Sequence, residues 1–244
     1  MNTLRALIFD VDGTLADTER DGHRPAFNAA FAGAGLRWHW DVAIYGELLA
    51  VAGGKERIRH YAARHDPERA AAPGFGETVA GLHAAKTRHY LDHVAAGRVP
   101  LRPGVATLLA AARRRGLRLA IATTTTPDNV EALLRATLGP DAMGWFAVIG
   151  AGDVVPAKKP APDIYRWVLE RLELDAADCL AVEDSELGLA AASTAGLRCL
   201  VTPNAYTAGQ DFGRAWMLRD SLAGIGPDEL ARRFAEDPAP PAAA

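Results

Sequence analysis

The sequence predicts an α/β protein: a mostly parallel sheet core with an α-helical module inserted early in the chain. Three observations carry this. From residue 105 onward, short apolar runs alternate with helical patterns, the rhythm of βαβ units joined by right-handed crossovers. A first apolar run, Ala6-Leu7-Ile8-Phe9, stands well apart from that series. Between the two, residues 15–98 carry helical patterns and turn signals but no convincing buried strand.

The first strand, over residues 6–9, runs into Asp10-Val11-Asp12-Gly13-Thr14, where Gly13 allows a sharp turn. In the inserted segment, helices are expected over 25–31, stopping near Gly33 and Gly35, and over 75–94. After Arg102-Pro103-Gly104 the alternation begins. It gives a helix over 105–115 capped by Gly116 and a strand over 117–122, then a helix over 127–138 and a strand over 145–149. A helix over 162–172, a strand over 179–182, a helix over 185–195 and a strand over 198–201 complete the series. The expected division is a core of 1–16 and 99–236, a helical cap of 17–98, and a Pro- and Ala-rich tail, 237–244, read as disordered.

Composition narrows the function class. With 49% hydrophobic and 23% charged residues, the chain is neither disordered nor fibrous. A net charge of −3 offers no global field for nucleic acid or an anionic membrane, so an anionic substrate needs a local cluster. No apolar run reaches the roughly eighteen residues of a membrane span. The N-terminus enters a strand without a signal-peptide pattern, so a cytoplasmic protein is expected. Cys179 and Cys199 each fall in an expected buried strand, as small hydrophobes.

The chemistry gathers at strand ends, where open α/β sheets bind ligands. Asp10 and Asp12 follow the first strand. An EF-hand starting at Asp10 would need Gly and Glu where Leu15 and Asp21 stand. A turn or helix cap explains one acid and not two alternating ones. The next strand end carries Thr123, Thr124, Thr125 and Thr126 before Pro127, hydroxyls at a helix N-terminus that attracts anions. Lys158 and Lys159 follow the third, and Glu183-Asp184-Ser185 the fourth. Carboxylates from two strand ends would repel one another unless a divalent cation neutralised them, and magnesium suits such donors.

These motifs, DVDGT at 10–14, Thr123, Lys159 in KKPAPD and EDS at 183–185, occur in an order and spacing that resemble the haloacid dehalogenase superfamily, whose core is Rossmann-like. The chain is similar to the branch containing β-phosphoglucomutase and phosphoglycolate phosphatase. Through Ile121-Ala122-Thr123-Thr124-Thr125-Thr126-Pro127-Asp128-Asn129-Val130 it is most similar to the CbbY-type phosphatases of xylulose-1,5-bisphosphate, an inhibitor of Rubisco. The resemblance implies a magnesium-dependent phosphatase acting on a small phosphorylated sugar, with no obligate protein partner. Asp10 would be the nucleophile and Asp12 the general acid/base. Magnesium would be held by Asp10, the Asp12 carbonyl and Asp184, with Glu183 supporting, and Thr123 and Lys159 would bind phosphoryl oxygens.

The resemblance also implies a cap that closes over the site and chooses the substrate. There, Gly53 and Gly54 would let backbone N–H groups approach an anion, with Lys55 adding charge. The alternative is an ordinary helix start. Asp17, Glu19 and His23 lie where related proteins contact substrate, although one residue more separates Thr18 from His23 than in the mutase. His89 and His93, spaced i, i+4, lack the HExxH setting of a zinc site, and Gly150-Ala151-Gly152 departs from a dinucleotide fingerprint at Val155 and Pro156. A phosphomutase on the same core and a non-catalytic protein retaining the fold are the competing readings.

Overall fold

The computed structural model describes residues 3–51 and 53–237. Residues 238–244 of the expected disordered tail lie outside them. The chain divides into two compact units, one of residues up to Asp17 together with those from Pro100 on, the other Thr18–Val99.

The first unit is built on six parallel strands in the order β3-β2-β1-β4-β5-β6. They are β1 (Ala6–Phe9), β2 (Arg118–Ala122), β3 (Phe146–Gly150), β4 (Cys179–Glu183), β5 (Arg198–Val201) and β6 (Met217–Leu218). Side chains alternate across the sheet. Ala6, Ile8, Ala120, Ala122, Ala181 and Cys199 share one buried cluster with Ile164, Val168 and Leu189. Those last three lie on helices Asp163–Leu172 and Glu186–Thr194. Leu7, Phe9, Leu119, Ile121, Leu180 and Val182, also buried, take the opposite parity. Helix Val105–Arg114 packs against β2, and helix Pro227–Glu236 against that helix.

The second unit contains, among the described residues, five α-helices after a π-helical turn at Thr18–His23: α1 (Arg24–Gly33), α2 (Val42–Leu48), α3 (Gly54–His65), α4 (Pro67–Ala70) and α5 (Phe75–Ala95). Helices α1 and α5 pack along each other. Phe27, Phe31, Trp38, Trp40, Tyr45 and Tyr61 form its aromatic centre, with neighbouring rings 4.7–6.1 Å apart. Such offset and edge-on ring pairs stabilise beyond the area they bury.

Several boundaries differ from expectation for identifiable reasons. The strand expected from 145 begins at Phe146 because Ala142–Trp145 forms a 3₁₀ turn. The helix expected from 185 begins at Glu186 because Ser185 is its N-cap, its side chain accepting from the Gly188 N–H. Asp17, assigned by sequence to the helical module, belongs to the core unit, where Arg102 Nε holds its carboxylate at 3.4 Å.

Candidate active site

Strand β1 delivers Asp10 directly, its N–H donating to the Val182 carbonyl of the neighbouring strand at 3.0 Å. The chain then turns through Gly13, whose φ is +89°. A Cβ there would lie 2.4 Å from Asp184 Oδ2 and 2.6 Å from Asn204 Nδ2, so this position requires glycine for space as well as conformation. Arg102 fixes the turn from below. Its guanidinium donates to the carbonyls of Gly13, Thr202 and Pro203, and so ties the loop after β1 to the loop after β5.

Lys159 reaches the same place from the loop after β3. Its ammonium, 8% exposed, donates to Asp10 Oδ1 and Glu183 Oε1, both at 2.6 Å, and to the Ala122 carbonyl at 2.9 Å. Burial alone would lower its pKa, but the Asp10 and Glu183 charges outweigh burial and hold it above the usual lysine range. Glu183 Oε1 also accepts from the buried Tyr165 hydroxyl at 2.5 Å. The space for this glutamate comes from Gly188, where a Cβ would sit 1.9 Å from Glu183 Oε2.

Carboxylate oxygens of Asp10, Glu183 and Asp184 all lie within 4.8 Å of one another. Three buried carboxylates thus face one ammonium. Burial first, then the Asp10 charge, raises the Glu183 pKa to about 7; burial and the Asp10 and Glu183 charges push Asp184 well above the carboxylate range. An all-oxygen, excess-negative donor set of this kind fits a hard divalent cation. Asp10 Oδ1 and Glu183 Oε1 both accept from Lys159, whereas Glu183 Oε2 is buried without a hydrogen-bond partner. Asp12, partly exposed, adds no carboxylate to the cluster, and its expected ligand is the main-chain carbonyl.

Thr123 is buried at the end of β2, its N–H donating to the Gly150 carbonyl at 2.9 Å, whereas Thr124 is exposed. Thr126 is a helix cap, accepting from Asn129 N–H. Lys158 is turned away, donating to Asp153 Oδ1 at 2.7 Å and to the Gly152 carbonyl. The Gly152 N–H donates to the Thr125 carbonyl at 2.7 Å, so this Gly-rich turn braces the threonine loop. Asn204 had no sequence signal beyond a polar residue after a strand. It donates to Asp184 Oδ2 at 2.7 Å, while its own Oδ1 accepts from Tyr206 N–H and its N–H donates to Thr207 Oγ1. Thr14 Oγ1 donates to the other Asp184 oxygen at 3.4 Å.

The second unit presents its own polar cluster. Thr18–His23 is a π-helix, whose wider turn accommodates an extra residue. Glu19 Oε2 accepts from the Tyr45 hydroxyl at 2.5 Å, and Arg57 Nη1 lies 3.6 Å from Glu19 Oε1. Burial raises the Glu19 pKa, but His23, Arg57, Tyr45 and Lys86 outweigh it and the carboxyl is held below its usual range. His23 stacks on Tyr90 with centroids 4.1 Å apart, its buried Nδ1 without a hydrogen-bond partner. Gly53 is the N-cap of α3, with φ +94°, and Gly54 and Lys55 form its first turn, so the segment is a helix start whose N–H groups still face outward from the helix end. His89 and His93 belong to no metal-ligand cluster among the described residues.

Burial first, then Lys86 and Arg57, lower the His23 pKa to about 3 against the raising effect of Glu19. The folded pKa is below the unfolded value, so the unfolded chain protonates first. The neutral ring's contribution is full above about pH 6.5 and is lost as pH falls toward 3. A His23→Phe variant, which keeps a ring against Tyr90, is expected to show a flatter fall in urea midpoint between about pH 7 and 5 than the wild type. Identical slopes would contradict this.

Comparisons with known proteins agree with this architecture. The chain matches the haloacid dehalogenase-like hydrolase family over residues 4–196. It is 56% identical over 219 residues to the plasmid-borne CbbY protein of Cupriavidus necator, covering 90% of this chain and 86% of that one. The crystal structure of CbbY from Rhodobacter sphaeroides in complex with phosphate superposes with a TM-score of 0.79 at 49% identity, covering 93% of this chain and 99% of that one. A D10N mutant of that protein in complex with xylulose-(1,5)bisphosphate matches with the same TM-score and coverage at 48% identity. With a family match running from Leu4 to Gly196 and relatives this similar along nearly their whole length, the protein belongs to the haloacid dehalogenase-like hydrolases.

Proposed function

We propose that this chain is a magnesium-dependent sugar-phosphate phosphatase whose substrate is xylulose-1,5-bisphosphate. One observation supports the chemistry above all: the Asp10 carboxylate, at the end of β1, is held by the Lys159 ammonium at 2.6 Å beside a second buried carboxylate, Asp184. Asp10 attacks phosphorus in line with the ester oxygen; the P–O bond to the sugar breaks as the bond to Asp10 forms. Asp12 gives its proton to the departing oxygen, then takes one from the water that attacks the aspartyl-phosphate. The P–O bond to Asp10 then breaks, releasing inorganic phosphate and restoring both acids. Thr123 and Lys159 bind the phosphoryl oxygens, and the Lys159 ammonium fixes the Asp10 carboxylate in place at 2.6 Å. Magnesium held by Asp10, Asp184 and the Asp12 carbonyl would supply the charge that lets an anionic nucleophile meet an anionic phosphate.

The substrate rests on similarity to CbbY solved with xylulose-1,5-bisphosphate. Asp17, Glu19, His23, Gly53, Gly54, Lys55 and Thr124 are assigned to substrate binding. The reading carries with it a cytoplasmic enzyme whose partner is the phosphorylated sugar alone; among the described residues no helix is long and apolar enough to cross a membrane. Phosphate release should be measured from xylulose-1,5-bisphosphate, ribulose-1,5-bisphosphate, phosphoglycolate and β-glucose 1-phosphate. Xylulose-1,5-bisphosphate is expected to have the highest kcat/KM. Equal rates on all would defeat the narrow substrate, and conversion of β-glucose 1-phosphate to glucose 6-phosphate would replace the hydrolase with a mutase.

A further inference from the structure

The cluster around Glu19 contains a residue to which neither the motifs nor the proposed reaction gives a role, Tyr45. Tyr45, on α2, is fully buried, and its hydroxyl donates to Glu19 Oε2 at 2.5 Å. Arg57, on α3, donates from Nη1 to the Tyr45 hydroxyl at 3.3 Å and approaches Glu19 Oε1 at 3.6 Å. Its Nε donates to the Val51 carbonyl at 3.0 Å, and its guanidinium lies 5.8 Å from the Tyr45 ring centroid. Exposure grades across the three. Tyr45 is 0% exposed, the Arg57 side chain 15% and the Glu19 side chain 25%. Tyr45 is therefore the innermost of the three, and the Glu19 side chain is the most exposed.

A carboxylate can accept at about four lone-pair positions, and the tyrosine occupies one of them. The remainder can read hydrogen-bond donors. A phosphate dianion offers no donor and is repelled by the charge, whereas the hydroxyls of a sugar chain are donors that suit it. Fixing the carboxylate before substrate arrives removes the cost of ordering a flexible glutamate at binding.

We propose that Tyr45 is a positioning residue that holds Glu19 as a preset acceptor for the hydroxyls of a polyhydroxy phosphate ester, and so contributes to its selection over small esters without hydroxyls. This rests on the phosphatase reading and extends it. Tyr45, fully buried, acts through Glu19.

The test is a double-mutant cycle in the full chain, with Tyr45→Phe, Glu19→Gln and the double variant assayed on xylulose-1,5-bisphosphate and phosphoglycolate. Tyr45→Phe is expected to lower kcat/KM on the sugar bisphosphate about tenfold, as loss of a hydrogen bond to a charged group does. It should leave any turnover of phosphoglycolate within about twofold, and in the Glu19→Gln background it should change the sugar bisphosphate value by less than about twofold. Additive losses in the cycle, equal losses on both substrates, or no effect of Tyr45→Phe would overturn the positioning role. A wild-type chain that hydrolyses no phosphate ester would instead overturn the phosphatase reading, and the role with it.

Discussion

Replacing Asp10 by Asn is expected to abolish phosphate release, lowering kcat on the order of 10⁴-fold or more, as loss of a covalent nucleophile does. The amide has nearly the shape of the carboxylate. It lacks the anionic oxygen that bonds phosphorus, and Lys159 cannot restore that charge. The fold should survive, because Lys159 keeps Glu183 at 2.6 Å and one like charge leaves the neighbourhood of Asp184. A continuous phosphate assay with a thermal unfolding control reads both. Turnover near the wild-type value in a folded Asp10→Asn variant would exclude Asp10 as the nucleophile.

Replacing Lys159 by Met is expected to affect stability as well as rate. Asp10, Glu183 and Asp184 are buried together, and Lys159 is the ammonium the structure places among them. Without it, three carboxylates share a poorly solvated space, so some must take up protons or the site must open. Breaking a buried pair by removing one partner costs about 3–5 kcal/mol. The loss should therefore be of that order at neutral pH, should shrink as pH falls and the carboxyls protonate, and should be partly offset by a divalent cation. Urea unfolding at two pH values, with and without magnesium, measures it. A variant as stable as the wild type at neutral pH without magnesium would contradict this electrostatic picture.

Much of the core unit was legible because its signals are local. Strand-length apolar runs, the helix-capping Thr126 and polar residues at consecutive strand ends all lie within a few positions of one another. The members that escaped notice act across the chain. Arg102, Tyr165 and Asn204 reach Gly13, Glu183 and Asp184 from 89, 18 and 20 positions away, and no periodicity marks a single long-range donor. Strand β6, Met217–Leu218, is too short to show alternation. Helix Pro227–Glu236 did carry signals, with proline and acids in its first turn and Leu230 and Phe234 buried one turn apart. In the helical unit, the Gly53-Gly54 pair reads as a loop, yet Ile58, Tyr61 and Ala62 form the buried stripe of α3 that follows it. Gly53 takes the positive φ of the cap, and a helix start and an anion site ask for the same residues, so the sequence does not separate them.

The covalent role of Asp10 is tested most directly by trapping the intermediate. Enzyme quenched during steady-state turnover and reduced with borohydride converts an aspartyl-phosphate to homoserine, which peptide mass spectrometry locates. The expected result is homoserine at position 10 alone, dependent on substrate. Rapid phosphate release with position 10 unmodified under conditions that trap a known acyl phosphate, or homoserine at another acid, would contradict it.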